Sequence, residues 1–154
     1  MVPVMDEVDR RLLSALQRDA TQPYAALGAA AGLSAGAAHE RVRKLRDRNV
    51  IRRTTVDVDP VAVGRTVLAY VLVEANTWMG TPPAGRAFAA LTDVTEAHDV
   101  AGGAAILLKV RTASTEALQT VLRDVYAIEG VTGTQTIVVL DTFFERPVDV
   151  GAVP

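Results

Sequence analysis

The chain has 154 residues, 49% of them apolar, and a formal net charge of −2. That apolar content excludes intrinsic disorder, and the length admits one domain or two small ones. The lack of cysteine excludes disulfides, thiol nucleophiles and thiolate metal sites. No apolar run reaches the roughly 20 residues of a bilayer span, and MVPVMDEVDRR lacks the charged-then-apolar order of a secretory leader; a cytoplasmic protein without membrane contact is expected.

The N-terminal part reads as three helices. In DEVDRRLLSALQRDA, Val8, Leu12, Leu13 and Leu16 follow helical spacing. Asp6 is placed to cap that helix, and Glu7 and Asp9 sit in the first turn, where acids are favoured. PYAALGAAAG fits a short second helix, with Pro23 in its first turn and Gly32 at its C-terminal cap. The third starts from Ser34 as N-cap and runs to about Arg48, with Ala38, Val42 and Leu45 on one face and Asn49 as the stop. IRRTTVDV then reads as a β wing, because it is rich in β-branched residues.

Pro60 and Gly64 in DPVAVGR mark a linker over 59–66. VLAYVLVE is a predicted strand, NTWMGTPP a loop and AGRAFAALTD a helix with Phe88 and Leu91 inward. VTEAHDVAG and AAILLKVRT are predicted strands joined by a glycine turn. STEALQTVLRDVYAIEG is a helix capped by Ser114, with Leu118, Val121, Leu122 and Val125 buried, and TGTQTIVVLDTFFE is the last strand. One of Phe143 and Phe144 is expected in the core. The order is βαββαβ, a ferredoxin-like unit. The expected organisation is α+β: a winged helix-turn-helix over 1–58, the linker, the βαββαβ domain over 67–146 and a loosely held tail over 147–154.

Charge is unevenly placed. Residues 41–53 hold seven Lys or Arg and one acid, Asp47. Two helices joined by the tight GLS turn, behind a third, describe a helix-turn-helix, whose later helix enters the major groove of duplex DNA. With Val42 inward, the outer face holds Gly36, Ala37, Glu40, Arg43, Lys44 and Asp47, flanked by Arg41, Arg46 and Arg48 where phosphates would lie. Ser34 and the helix N-terminus are candidates for another phosphate, and Arg52 and Arg53 extend the contact. The helix start, Ser34-Ala35-Gly36-Ala37-Ala38, offers methyl groups and backbone with little hydrogen-bond readout. Phosphate contacts and DNA shape are therefore expected to carry much of the affinity.

These segments together resemble the Lrp/AsnC, or feast/famine, transcriptional regulators. The resemblance is carried by the D-x-x-D-x-x-L-L-x-x-L-Q start, the GLS turn, the ERVRKL helix, D-P-x-x-V-G, HDVAGGAAILLKVR and EGVTGTQTIVVL, in order over about residues 5–146. It implies a DNA-binding regulator that dimerises through its C-terminal sheets, often assembles into octamers, and binds a small molecule, typically an amino acid, between dimers. No cofactor or metal is implied. The implied effector loop is Ala101, Gly102, Gly103 and Ala104, where the family usually carries acids in a G-D-x-D pattern; the matching positions here are Gly103 and Ala105. Backbone N–H groups in such a turn can hold a carboxylate, Asp99 or backbone carbonyls can stand in for the missing acids, and Thr134 and Thr136 can supply hydroxyls.

Other classes fit less well. For an enzyme there are two histidines, His39 and His98, in different halves, and no G-x-S-x-G, H-E-x-x-H or Walker loop. An RNA-binding βαββαβ module needs aromatics on its central strands, and AAILLKVR has none. The remaining alternative is a ligand sensor without regulatory DNA binding.

Overall fold

The computed structural model describes residues 5–151. The readings made of residues 1–4 and 152–154 lie outside this range. The chain forms two compact units. One comprises the residues up to Val56 together with those from Phe144 onward, and the other spans Asp57–Phe143.

The first unit contains α1 (Glu7–Arg18), α2 (Tyr24–Ala31) and α3 (Ala35–Asp47). Asp6 caps α1, accepting from the Asp9 N–H at 2.8 Å. Ser34 caps α3, accepting from the Ala37 N–H at 3.2 Å. Gly32 ends α2 in the left-handed conformation (φ 70°), and Asn49 ends α3 the same way (φ 57°). Pro23 stands at the N-cap of α2, one position before the expected first turn. Leu12, Leu27, Ala38, Val42 and Leu45 are sealed from solvent. Gly28 permits the α2–α3 turn to close, since a Cβ there would lie 2.6 Å from the Leu33 carbonyl oxygen.

Two expectations for this unit fail. Residues 52–58 form no strand, because β-branched composition makes a strand only where a neighbour completes the ladder, and no described segment pairs with them. The described part of the tail, through residue 151, is also held. The Arg10 guanidinium donates to the Val150 carbonyl at 2.6 Å, and the Gln17 amide donates to the Val148 carbonyl at 3.0 Å.

The second unit is β1 (Val67–Ala75), α4 (Pro82–Ala89), β2 (Val94–Asp99), β3 (Ile106–Thr112), α5 (Thr115–Tyr126) and β4 (Val131–Val138). The antiparallel sheet has the order β2-β3-β1-β4, which is the ferredoxin-like arrangement. Ala69, Val71 and Val73 of β1 and Ile106, Leu108 and Val110 of β3 alternate inward, against Phe88 of α4 and Leu118, Val121 and Val125 of α5. Thr81 caps α4, so Pro82 and Pro83, expected in a loop, form its first turn. Ser114 caps α5 as expected.

Strand β4 stops seven residues before the expected Glu145. Its partner β1 runs out: Val138 pairs with Ala69, and the Val139 N–H bonds the Leu68 carbonyl at 2.9 Å as the last rung. Neither Phe143 (92% exposed) nor Phe144 (69%) enters the core, and the Arg146 guanidinium lies 4.7 Å from the Phe144 ring centroid. No helix among the described residues is long and apolar enough to cross a membrane.

Candidate functional site

The outward surface of α3 is arranged as its periodicity requires. Ala38, Val42 and Leu45 are buried, while Ser34, Gly36, Ala37, Glu40, Arg43, Lys44, Arg46, Asp47 and Arg48 are exposed. The Ser34 hydroxyl accepts from the Ala37 N–H and its carbonyl from the Ala38 N–H, so the N–H groups of Ala35 and Gly36 are the ones at the helix start without intrahelical acceptors. Arg52 and Arg53 are exposed beyond the helix.

The seven cations are not equivalent. Arg41 turns toward α1, where its Nη1 meets Asp6 at 2.6 Å and Asp9 at 2.8 Å. Asp9 is only 7% exposed, so removing Arg41 would leave a nearly buried carboxylate unpaired. Arg41, expected to flank the DNA face, thus brackets the first and third helices through Asp6 and Asp9. The Asp6 carboxyl is held below its ordinary range by the Asp9 N–H and then by Arg41, and Arg41 is pushed up by the same carboxylates. Arg43 bonds Glu40 at 2.8 Å and lies 3.7 Å from Asp47; its hydrogen bond lowers the Glu40 carboxyl and raises the guanidinium. Arg46 donates to the Tyr24 hydroxyl at 3.4 Å. His39 stands edge-on to the Tyr24 ring, centroids 4.8 Å apart. Tyr24 is thus a positioning residue that the charge pattern did not reveal. Positive charge therefore concentrates at the C-terminal end of α3 and just beyond it, while the N-terminal end presents small uncharged groups.

Asp6→Ala is expected to destabilise the first unit by about 1–2 kcal/mol, since it removes a helix cap and one partner of Arg41. Because the folded carboxyl titrates below its unfolded value near 3.9, the contribution is complete above that value and vanishes as pH falls through the folded one. Urea unfolding should separate variant from parent at pH 7, and the gap should close as the pH falls through the lowered titration of the folded Asp6 carboxyl. Equal stability at pH 7 would show that the cap is not holding the helix.

The second candidate region is the turn between β2 and β3. The Val100 N–H bonds the Ala105 carbonyl at 3.1 Å, and the Ala105 N–H bonds the Val73 carbonyl at 2.9 Å. Between them, no acceptor among the described residues meets the N–H groups of Ala101, Gly102, Gly103 and Ala104. Gly102 adopts φ 147°, which L side chains rarely take, and both glycines face open space. Asp99 precedes the turn and is exposed. Thr134 and Thr136 do not join this group within one chain. They pair with Val73 and Val71 on the helix-covered face, and Asp99, Ile106, Val73 and Thr134 make one row across the four strands. Three strand spacings separate Asp99 from Thr134, about 14 Å, because β4 adds to the far side of β1. On the other face Glu96 bonds His98 at 3.2 Å and Lys109 at 3.3 Å. Burial would raise that carboxyl, and these two bonds outweigh it and hold it low.

The AsnC-type helix-turn-helix domain matches residues 5–46, and the Lrp/AsnC ligand-binding domain matches residues 67–149. The chain belongs to the Lrp/AsnC family. This Lrp/AsnC chain is 33% identical over 141 residues to the HTH-type transcriptional regulator FL11 of Pyrococcus horikoshii, covering 92% of this chain and 93% of that one. It is 32% identical over 146 residues to the regulatory protein AsnC of Escherichia coli, covering 94% and 96%. The solved structure of E. coli AsnC superposes with a TM-score of 0.87 over 96% of this chain and 99% of that one, at 30% identity. A feast or famine regulatory protein from M. tuberculosis complexed with L-methionine superposes with a TM-score of 0.84 over 92% and 96%, also at 30% identity. As an Lrp/AsnC member, the chain is a helix-turn-helix transcriptional regulator with a ligand-binding domain.

Proposed function

We propose that this regulator binds double-stranded DNA by laying α3 in the major groove. Ser34, Gly36 and Ala37 approach the bases, and Lys44, Arg46, Arg48, Arg52 and Arg53 meet phosphates; Glu40 and Arg43 enter as a pair on the groove side. The observation that carries the reading is the two-sided character of α3, sealed on Val42 and cationic on the opposite face. The protein acts as a homodimer and, on further assembly, an octamer. The sheet face not covered by α4 and α5 supports this, since it carries Tyr70, Leu72, Leu107 and Ile137 on adjoining strands, with Ile137 51% exposed. Functionally the chain divides into a DNA-binding domain over 1–58, a linker over 59–66 and a ligand-binding and dimerisation domain over 67–146. An amino-acid effector seats on the Asp99–Ala104 turn and modulates assembly or DNA binding, a reading supported by the methionine complex of the M. tuberculosis relative. The protein works in the cytoplasm, without catalysis or a cofactor.

Light scattering on micromolar protein, paired with a gel shift on its own upstream DNA at low ionic strength, tests this. A dimer or larger particle that retards the DNA is expected. A monomer that leaves the DNA unshifted would overturn the reading.

A further inference from the structure

The implied acids of the effector turn are absent at Gly103 and Ala105, so an amino acid held there needs another partner for its ammonium group. The free N–H groups of residues 101–104 suit a carboxylate. They do nothing for a cation.

The loop between β1 and α4 approaches the stem of this turn. A Cβ on Gly80 would lie 2.5 Å from Cζ2 of Trp78 and 2.6 Å from Oδ2 of Asp99. The indole edge and the carboxylate thus converge on one backbone point, within about 5 Å of each other. The Asp99 carboxylate has no hydrogen bond or ion pair among the described residues, and Trp78 is 71% exposed. The same indole walls an open cleft of about 560 Å³ with Met79, Pro83, Ala84, Ala87 and Ile128, a size in the range of small-molecule sites. Glu129 also borders the cleft and disfavours an acidic side chain there.

We propose that Asp99 binds the ammonium of the effector and that Trp78 sets its specificity, selecting an α-amino acid with an apolar side chain. The carboxylate lies on the N–H groups of the turn, and the side chain runs along the indole into the cleft. Gly80 allows the two groups to meet. This rests on the reading of the turn as the effector site.

Trp78 is the one tryptophan of the chain, so its emission reports occupancy of this place. The full-length protein is titrated with L-leucine, L-glutamate and 4-methylpentanoate, which is leucine without its ammonium, reading both emission and melting temperature. Leucine is expected to change the emission saturably and raise the melting temperature, whereas 4-methylpentanoate binds about tenfold to a hundredfold more weakly and glutamate leaves both signals unmoved. Asp99→Asn should bring leucine down to the level of 4-methylpentanoate, and Asp99→Glu should recover part of the loss. Unchanged far-ultraviolet dichroism in both variants separates this from misfolding. Leucine that raises the melting temperature with silent emission, or that binds Asp99→Asn as tightly as the parent, overturns the assignment of Asp99 and Trp78 while leaving an effector site in place. A leucine response that survives in Gly103→Val removes the site from the turn. No response to any of the three ligands removes the effector reading itself, and this proposal with it.

Discussion

The triple variant Lys44→Ala, Arg52→Ala, Arg53→Ala is expected to bind duplex DNA with a plot of log affinity against log salt that is shallower by about 2.7 for each recognition helix engaged, or about 0.9 for each cation removed. If five phosphates are met per helix and two helices act together, the parent loses about 10⁵-fold in affinity between 50 and 200 mM salt, and the variant only about 10²-fold. All three are exposed, and none forms a salt bridge with a described acid. The loss should be similar across DNA sequences, as expected of phosphate contacts. Arg41→Ala is the contrasting case. Its guanidinium is already committed to Asp6 and Asp9, so the salt slope should hold while the first unit unfolds at lower urea. Fluorescence anisotropy of labelled DNA at five or more salt concentrations measures both. A parent-like slope in the triple variant, or a reduced slope in Arg41→Ala, would contradict this division.

What the sequence made legible follows the range of the interactions. Asp6, Ser34 and Ser114 were readable as caps because each bonds an N–H three residues on. Val42 was placed inward because periodicity along one helix is enough to orient it. The charge count was misleading for the opposite reason. Arg41 is neutralised by acids 32 and 35 residues away in sequence, which no local window connects to it. The same limit explains the missing wing. Val56 and Val58 have the composition of a strand and are 78% and 51% exposed, because pairing is a property of two segments. Thr134 and Thr136 were grouped with the Gly102 turn by motif order, whereas sheet topology places them two strands beyond β3. Gly28, Tyr24 and Gly80 carried no readable signal, since a close approach exists only once the elements pack.

Phe88→Ala is expected to destabilise the Asp57–Phe143 unit by about 3–5 kcal/mol. Phe88 is 1% exposed and is the one buried residue of α4. An eight-residue helix is too short to persist without packing, so its attachment depends on that ring against the Val71–Val73 and Ile106–Val110 faces. A loss of this size takes a large share of the roughly 5–15 kcal/mol that holds a domain folded. The consequence reaches DNA. If the sheet joins two chains, loosening it uncouples two recognition helices, and apparent affinity should fall about 10²- to 10⁴-fold as the avidity is lost. Phe143→Ala separates the two effects: that ring is 92% exposed, so its removal should cost less than about 0.5 kcal/mol in unit stability. Any weakening of assembly in Phe143→Ala then belongs to contact between chains, while weakening in Phe88→Ala tracks unfolding. Urea denaturation followed by dichroism, alongside light scattering on the same samples, resolves them. A Phe88→Ala protein that unfolds at the parent's urea midpoint would mean that α4 is anchored by something other than its single buried side chain.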